Sequence, residues 1–162
     1  MGAAGVNLVV IRKDILGIKR PIPAIMDYRN HIEADSLLNT PPVFAVYVAM
    51  LTLQWIKKEG GLVEMEKRAR ERADLFYNTL EALPLFTPIV AKEDRSLMNA
   101  TFTIQNAELE KEFLELCKAN GMVGVKGHRS VGGLRVSMYN ALPLSSVEEM
   151  CKLMRHFAEK YN

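Results

Sequence analysis

The stretch Lys126–Tyr139 (KGHRSVGGLRVSMY) concentrates groups suited to holding a small oxyanion. Arg129 and Arg135 each carry a planar fork that can donate two parallel hydrogen bonds to a carboxylate or phosphate. His128 adds a donor whose charge depends on pH, since an unperturbed imidazole titrates near about 6.5. Gly127, Gly132 and Gly133 let the backbone come close to a ligand and adopt positive φ. Any one of these residues alone would be an ordinary surface side chain. Two arginines, a histidine and three glycines in one short stretch point instead to an anion site. Lys126 beside them reads as a solvated lysine.

Alternation decides where Arg135 faces. Leu134, Val136 and Met138 form the apolar set of a short strand, so Arg135, Ser137 and Tyr139 take the opposite side. A mid-strand arginine is costly unless that side is wet or holds an anion. A second group of donors is Asn39-Thr40, just ahead of Pro41-Pro42 and an apolar helix. Their side chains could reach an oxyanion near a helix N-terminus. Taken alone, the dipeptide is better explained by plain helix capping.

The elements that would carry these groups can be read along the chain. Asn7–Arg12 (NLVVIR) is an apolar, β-branched run that predicts a buried strand. Gly17–Thr40 shows little periodicity and predicts an irregular segment. A helix is expected from about Val43 to Lys58. It is apolar nearly all round, which suggests burial on several sides, between domains or subunits, and Gly60-Gly61 ends it. A second helix, about Leu62 to Leu83, has Leu62, Met65, Ala69, Ala73, Phe76 and Leu80 as its packing stripe. Its charges at Glu66, Lys67, Arg68, Arg70, Glu71 and Arg72 read as a solvated face. An edge strand near Phe86–Val90 and a half-buried strand over Asn99–Ile104 follow. Then come a helix bearing Leu109, Phe113, Leu116 and Cys117, the Leu134–Tyr139 strand, and a last helix starting at Ser146. Ser146 and Glu149 have capping-box spacing. From Leu62 onward this is an α+β order, a two-layer arrangement of helices on a mainly antiparallel sheet.

Composition narrows the function classes. With 162 residues and 49% apolar content the chain can bury a sizeable core. The formal net charge of only +2 argues against a nucleic-acid binder, so an anion must be met by a local cluster. Cys117 and Cys151 sit among apolar neighbours and read as reduced, buried thiols. No metal-ligand spacing is present. The longest apolar stretch, Val43–Ile56, is too short to span a bilayer, and no signal peptide is visible, so a cytoplasmic location is expected.

Three segments together, SLLNTPPVFAVYV, RSLMNATF and GHRSVGGLRVSMYNAL, resemble the phosphoserine aminotransferase family of fold-type I, pyridoxal-phosphate-dependent enzymes. The resemblance runs from Gly2 to the C-terminus. It implies a homodimer that interconverts 3-phosphohydroxypyruvate and glutamate with O-phosphoserine and 2-oxoglutarate, in serine biosynthesis. Carried over by motif, His128 and Arg129 would contact the substrate phosphate across a dimer interface. Arg135 would take the α-carboxylate, and Asn39 and Thr40 would reach the cofactor phosphate of the neighbouring subunit. Residues 1–40 would then be a remnant of the large cofactor domain, 41–60 an interdomain helix, and 61–162 the small C-terminal domain. Gly2-Ala3-Ala4-Gly5 resembles the family's Gly-Pro-Ala-Gly, with Ala3 in place of the proline. That match puts the Schiff-base lysine just upstream of Met1. By this reading the chain is a C-terminal fragment with no catalytic residue, inactive alone and without pyridoxal phosphate of its own. The alternative is a stand-alone module for phospho-acid binding or dimerisation.

Overall fold

The computed structural model describes residues 2–17 and 21–161, so part of the Gly17–Thr40 segment lies outside the described residues. The chain divides into two compact units, one up to Gly61 and one from Leu62 onward.

In the second unit the elements run α3 (Gly61–Glu81), β1 (Phe86–Pro88), β2 (Asn99–Ile104), α4 (Ala107–Ala119), β3 (Leu134–Ser137) and α5 (Leu144–Glu159), where α1 and α2 belong to the first unit. The three strands form one antiparallel sheet in the order β1-β2-β3. Period-two alternation sends Ala100, Phe102 and Ile104 of β2, with Leu134 and Val136 of β3, to one side. There they join Phe76 and Leu80 of α3, Phe113 and Cys117 of α4, and Val147, Met154 and Phe157 of α5 in a single core. All three helices therefore cover the same face of the sheet. Phe86 meets Phe113 edge-on at 5.3 Å, and Phe113 meets Phe157 at 5.1 Å. Each such buried ring contributes on the order of 2–3 kcal/mol from apolar surface removed from water. The sheet's other face carries Asn99, Thr101, Thr103, Arg135 and Ser137, all half-buried.

Three details differ from the sequence reading. Arg72 is not solvated; it is only 2% exposed. It stands three residues after Ala69 and four before Phe76, so helical geometry carries it onto the packing stripe despite its charge. Its Nη1 donates to the Leu142 carbonyl at 3.1 Å. Leu62, assigned to that stripe, is 80% exposed, because it lies in the first turn of α3. The last helix starts at Leu144 rather than Ser146, with Pro143 in extended backbone before it and no side-chain cap. Proline favours such a lead-in, and Glu149 pairs with Lys152 at 2.7 Å instead of closing a capping box.

The first unit contains 3-10 turns at Lys13–Gly17 and Ala24–Met26, then α1 (Tyr28–Glu33) and α2 (Val43–Lys58). The strand predicted over Asn7–Arg12 is not formed, and Leu8 and Val10 are 76% and 91% exposed. A strand needs a ladder partner, and no strand lies in this unit among the described residues. The segment expected to be irregular contains α1, capped by Asp27, whose carboxylate accepts from the Arg29 N–H at 3.0 Å. Helix α2 has the predicted bounds. Within this chain only Ala45 of it is buried, while Val43 and Phe44 are 69% and 73% exposed. Among the described residues no helix is long and apolar enough to cross a membrane.

Two measurements test this core. Phe102→Ala should cost about 3–5 kcal/mol in urea unfolding, the usual range for a fully buried ring. Burial pushes the Cys117 thiol up to about 11, and Cys151 rises in the same direction. Near neutral pH a thiol reagent should therefore label neither cysteine in the native chain and both in denaturant. Rapid native labelling would contradict the packing.

Candidate functional site

The groups around β3 are built by a hairpin. Lys126 bridges to Leu134, the Arg135 N–H donates to the Val125 carbonyl at 2.6 Å, and the Gly127 N–H donates to the Gly133 carbonyl at 2.8 Å. His128, Arg129 and Ser130 therefore sit at the tip of a loop whose base is the start of β3. Inside the loop the His128 carbonyl accepts from the N–H groups of Val131 and Gly132 at 3.0 and 2.8 Å. Glycine is required at the base. A Cβ on Gly127 would stand 2.2 Å from the Gly132 oxygen, and one on Gly133, where φ is +64°, would stand 2.9 Å from the Phe102 oxygen.

His128 is held by its neighbour, with Nδ1 2.7 Å from Ser130 Oγ. Arg129 is exposed, and no carboxylate pairs with it among the described residues. Arg135 stands opposite Thr101 on the outer face of the sheet. Its Nε is buried and has no hydrogen-bond partner among the described residues. An unmet buried donor costs about 1–3 kcal/mol, more when charged. A bound carboxylate would remove that cost by accepting from the guanidinium.

The strand ends beside Arg135 are pinned by polar contacts. Ser137 Oγ donates to Asn99 Oδ1 at 3.0 Å, and Asn99 Nδ2 donates to the Tyr139 hydroxyl at 3.3 Å. Ser96 Oγ accepts from the N–H groups of Met98 and Asn99, both at 3.1 Å. Arg95 reaches Glu81 at 2.5 Å and lies over the Tyr77 ring at 4.9 Å. The RSLMNATF segment carried part of the family resemblance, but none of its residues was read from the sequence as part of the site.

Asn39 and Thr40 belong to the first unit. Both are exposed, and neither caps α2, whose N-cap is Pro42 without a side-chain bond. Capping thus does not account for them. Asn39 Nδ2 donates to the Thr40 carbonyl at 3.2 Å. Asn39 also lines a cavity of about 510 Å³ together with Asn7, Tyr28, His31 and Ser36. Ser36 holds φ at +65°, a conformation non-glycine residues adopt at a cost, often in functional loops. The structure therefore brings His128, Arg129 and Arg135 onto one hairpin and puts Asn39 and Thr40 on a separate unit.

Comparison with known proteins gives this geometry a context. The aminotransferase class-V family matches residues 1–150. The phosphoserine aminotransferase of Parabacteroides distasonis is 47% identical over 164 aligned positions, covering 99% of this chain and 46% of the relative. The solved structure of phosphoserine aminotransferase from Bacillus circulans subsp. alkalophilus superposes with a TM-score of 0.88 at 38% identity, over 94% of this chain and 43% of that one. A pyridoxal-phosphate-bound phosphoserine aminotransferase from Trichomonas vaginalis gives a TM-score of 0.83 at 35% identity, over 90% and 42%. The chain thus spans about half the length of the curated relatives it matches.

The hairpin geometry carries its own test. Gly127→Ala should open the bond from the Gly127 N–H to Gly133 and raise hydrogen exchange over residues 127–133 by more than tenfold, leaving the Phe102 core protected. Unchanged exchange in the loop would show that the glycine is dispensable.

Proposed function

The chain belongs to the class-V aminotransferases, and from that premise we propose that it forms the substrate-gripping portion of a phosphoserine aminotransferase. The observation that carries this reading is Arg135, a half-buried cation on the outer sheet face with an unmet Nε, beside a glycine-based hairpin that presents His128 and Arg129. One fixed guanidinium suits an α-carboxylate. A second cation and an imidazole on the same hairpin suit a phosphate, which needs more donors. O-Phosphoserine carries both groups.

The work assigned to this chain is binding and orientation. Arg135 grips the carboxylate common to phosphoserine and glutamate, and so fixes the Cα relative to the reacting centre. His128 and Arg129 take the phosphate, reaching into the site of a neighbouring subunit of a cytoplasmic homodimer. Asn39 and Thr40 fit a second phosphate, that of the cofactor. They offer an amide and a hydroxyl ahead of a helix N-terminus, and neither is used as a cap for α2. Pyridoxal phosphate, when bound, supplies the electron sink for amino-group exchange. In this reading residues 1–40 belong with a large cofactor domain, 41–60 form the interdomain helix and 61–162 the small domain. The exposed apolar side chains of α2 suit burial against such a domain or a partner subunit.

Four outcomes test the proposal. Titrated into this chain, O-phosphoserine should bind weakly, with Kd on the order of millimolar, because solvated ion pairs gain little. The chain alone should show no glutamate–phosphohydroxypyruvate transamination; measurable turnover would overturn its role as a gripping portion only. In an enzyme joining this chain to a cofactor domain, Arg135→Ala should lower kcat/KM about 10–100-fold for both amino-acid substrates, the usual scale for one charge-assisted contact. Arg129→Ala should do so for phosphoserine and much less for glutamate. Equal losses in the Arg129 variant would contradict the assignment.

A further inference from the structure

Ser130 is the residue of the hairpin to which no role has been assigned, and it makes two contacts with one atom. Its backbone N–H donates to His128 Nδ1 at 3.3 Å, and its Oγ lies 2.7 Å from the same nitrogen. A backbone N–H can only donate, so this longer contact favours the form of the ring in which Nδ1 offers its lone pair. In a neutral imidazole the hydrogen then sits on Nε2. In that form the Ser130 hydroxyl, at the shorter of the two distances, donates to the same lone pair. Nε2 has no partner among the described residues and is left as a free N–H donor.

That choice matters for an anion. A phosphate ester offers only acceptors near neutral pH, so an imidazole facing it with a bare lone pair would repel it. The Nε2–H form donates to it without needing a positive charge. We propose that Ser130 is a positioning residue that fixes His128 in the Nε2–H tautomer, so that the neutral ring still donates to a phosphomonoester. The inference rests on the reading of His128 as a phosphate contact, and it adds which form of the ring does the binding and what selects it. The preorganisation is local. The two contacts span two residues of a loop closed by the Gly127–Gly133 bond, and they need no ligand in place.

The experiment reads the tautomer directly, in the ligand-free chain. Nitrogen-15 NMR of the His128 ring, at a pH of about 8.5 where an ordinary imidazole is neutral, separates a protonated from an unprotonated nitrogen by chemical shift. The native chain should show Nε2 protonated and Nδ1 bare. Ser130→Val and Ser130→Thr have matched shapes and differ in the hydroxyl. The valine variant should narrow the shift difference between the two nitrogens, and the threonine variant should keep it. The valine variant should also bind O-phosphoserine about fivefold more weakly than the threonine variant at that pH, the scale of one neutral hydrogen bond. Unchanged resonances from Phe76 and Phe102 would confirm that each variant is folded, and Ser130→Ala serves if the valine variant is not. A native Nδ1–H tautomer would overturn the proposal, as would the same shift difference in the valine and threonine variants. If the tautomer responds as expected while phosphoserine binds to none of the proteins, the phosphate reading fails and the role of Ser130 in setting the ring stands.

Discussion

Leu134, Val136 and Met138 are sunk in the core beside Phe102, and a strand turns successive side chains to opposite faces. Arg135 therefore has nowhere to go but the outer side of the sheet. The antiparallel pairing with β2 fixes it there, opposite Thr101. The rest of the site follows from that one placement. The hairpin that returns into β3 brings His128 and Arg129 to the same end, and its base closes only because Gly127 and Gly133 have no Cβ. A one-residue slip in register would exchange Arg135 with Leu134 and remove both the core and the site together.

Around this placement the protein keeps two kinds of uncompensated polar group. Among the described residues, Arg135 leaves its Nε unmet on the sheet face, and Arg72 leaves Nε and Nη2 unmet inside the helical layer. They differ in surroundings. Arg135 is half-buried at an edge that a ligand can approach, whereas Arg72 is enclosed, with the Leu142 carbonyl as its acceptor. Burial holds the Arg72 guanidinium below its usual basicity, with Arg68 repulsion adding to the effect. An unmet donor thus points to a ligand only where there is room for one. The RSLMN segment fits the same picture: Tyr77, Arg95 and Ser96 anchor the start of β2, and through Asn99 they connect to Ser137 of β3 and to Tyr139 just beyond its end.

The two units contrast in how far they satisfy themselves. The second has a closed core in which three helices cover one sheet face. The first has short 3-10 turns, α1 and a largely exposed apolar α2. Such surface is stable in water only at a cost in free energy and is suited to being covered. This agrees with a chain that spans about half the length of its curated relatives.

Periodic pattern determined much of this protein without any structure. The bounds of α2 and β2, the inward set of β3, the outward Arg135 and the glycine-rich loop with His128 and Arg129 are all legible, because each depends on spacing within a few residues. What the pattern could not decide was set by contacts distant in sequence. Asn7–Arg12 has the composition of a strand, yet among the described residues no ladder partner stands beside it. Arg72 reads as solvated in a run of charges, yet α3 turns it into the layer where Leu142 meets it from seventy positions away. Asn39 and Thr40, taken alone, read as caps, yet Pro42 stands at the cap of the helix without a side-chain bond from either. In each case the residue type fixes what a group can do, and tertiary packing decides whether a partner is there to let it.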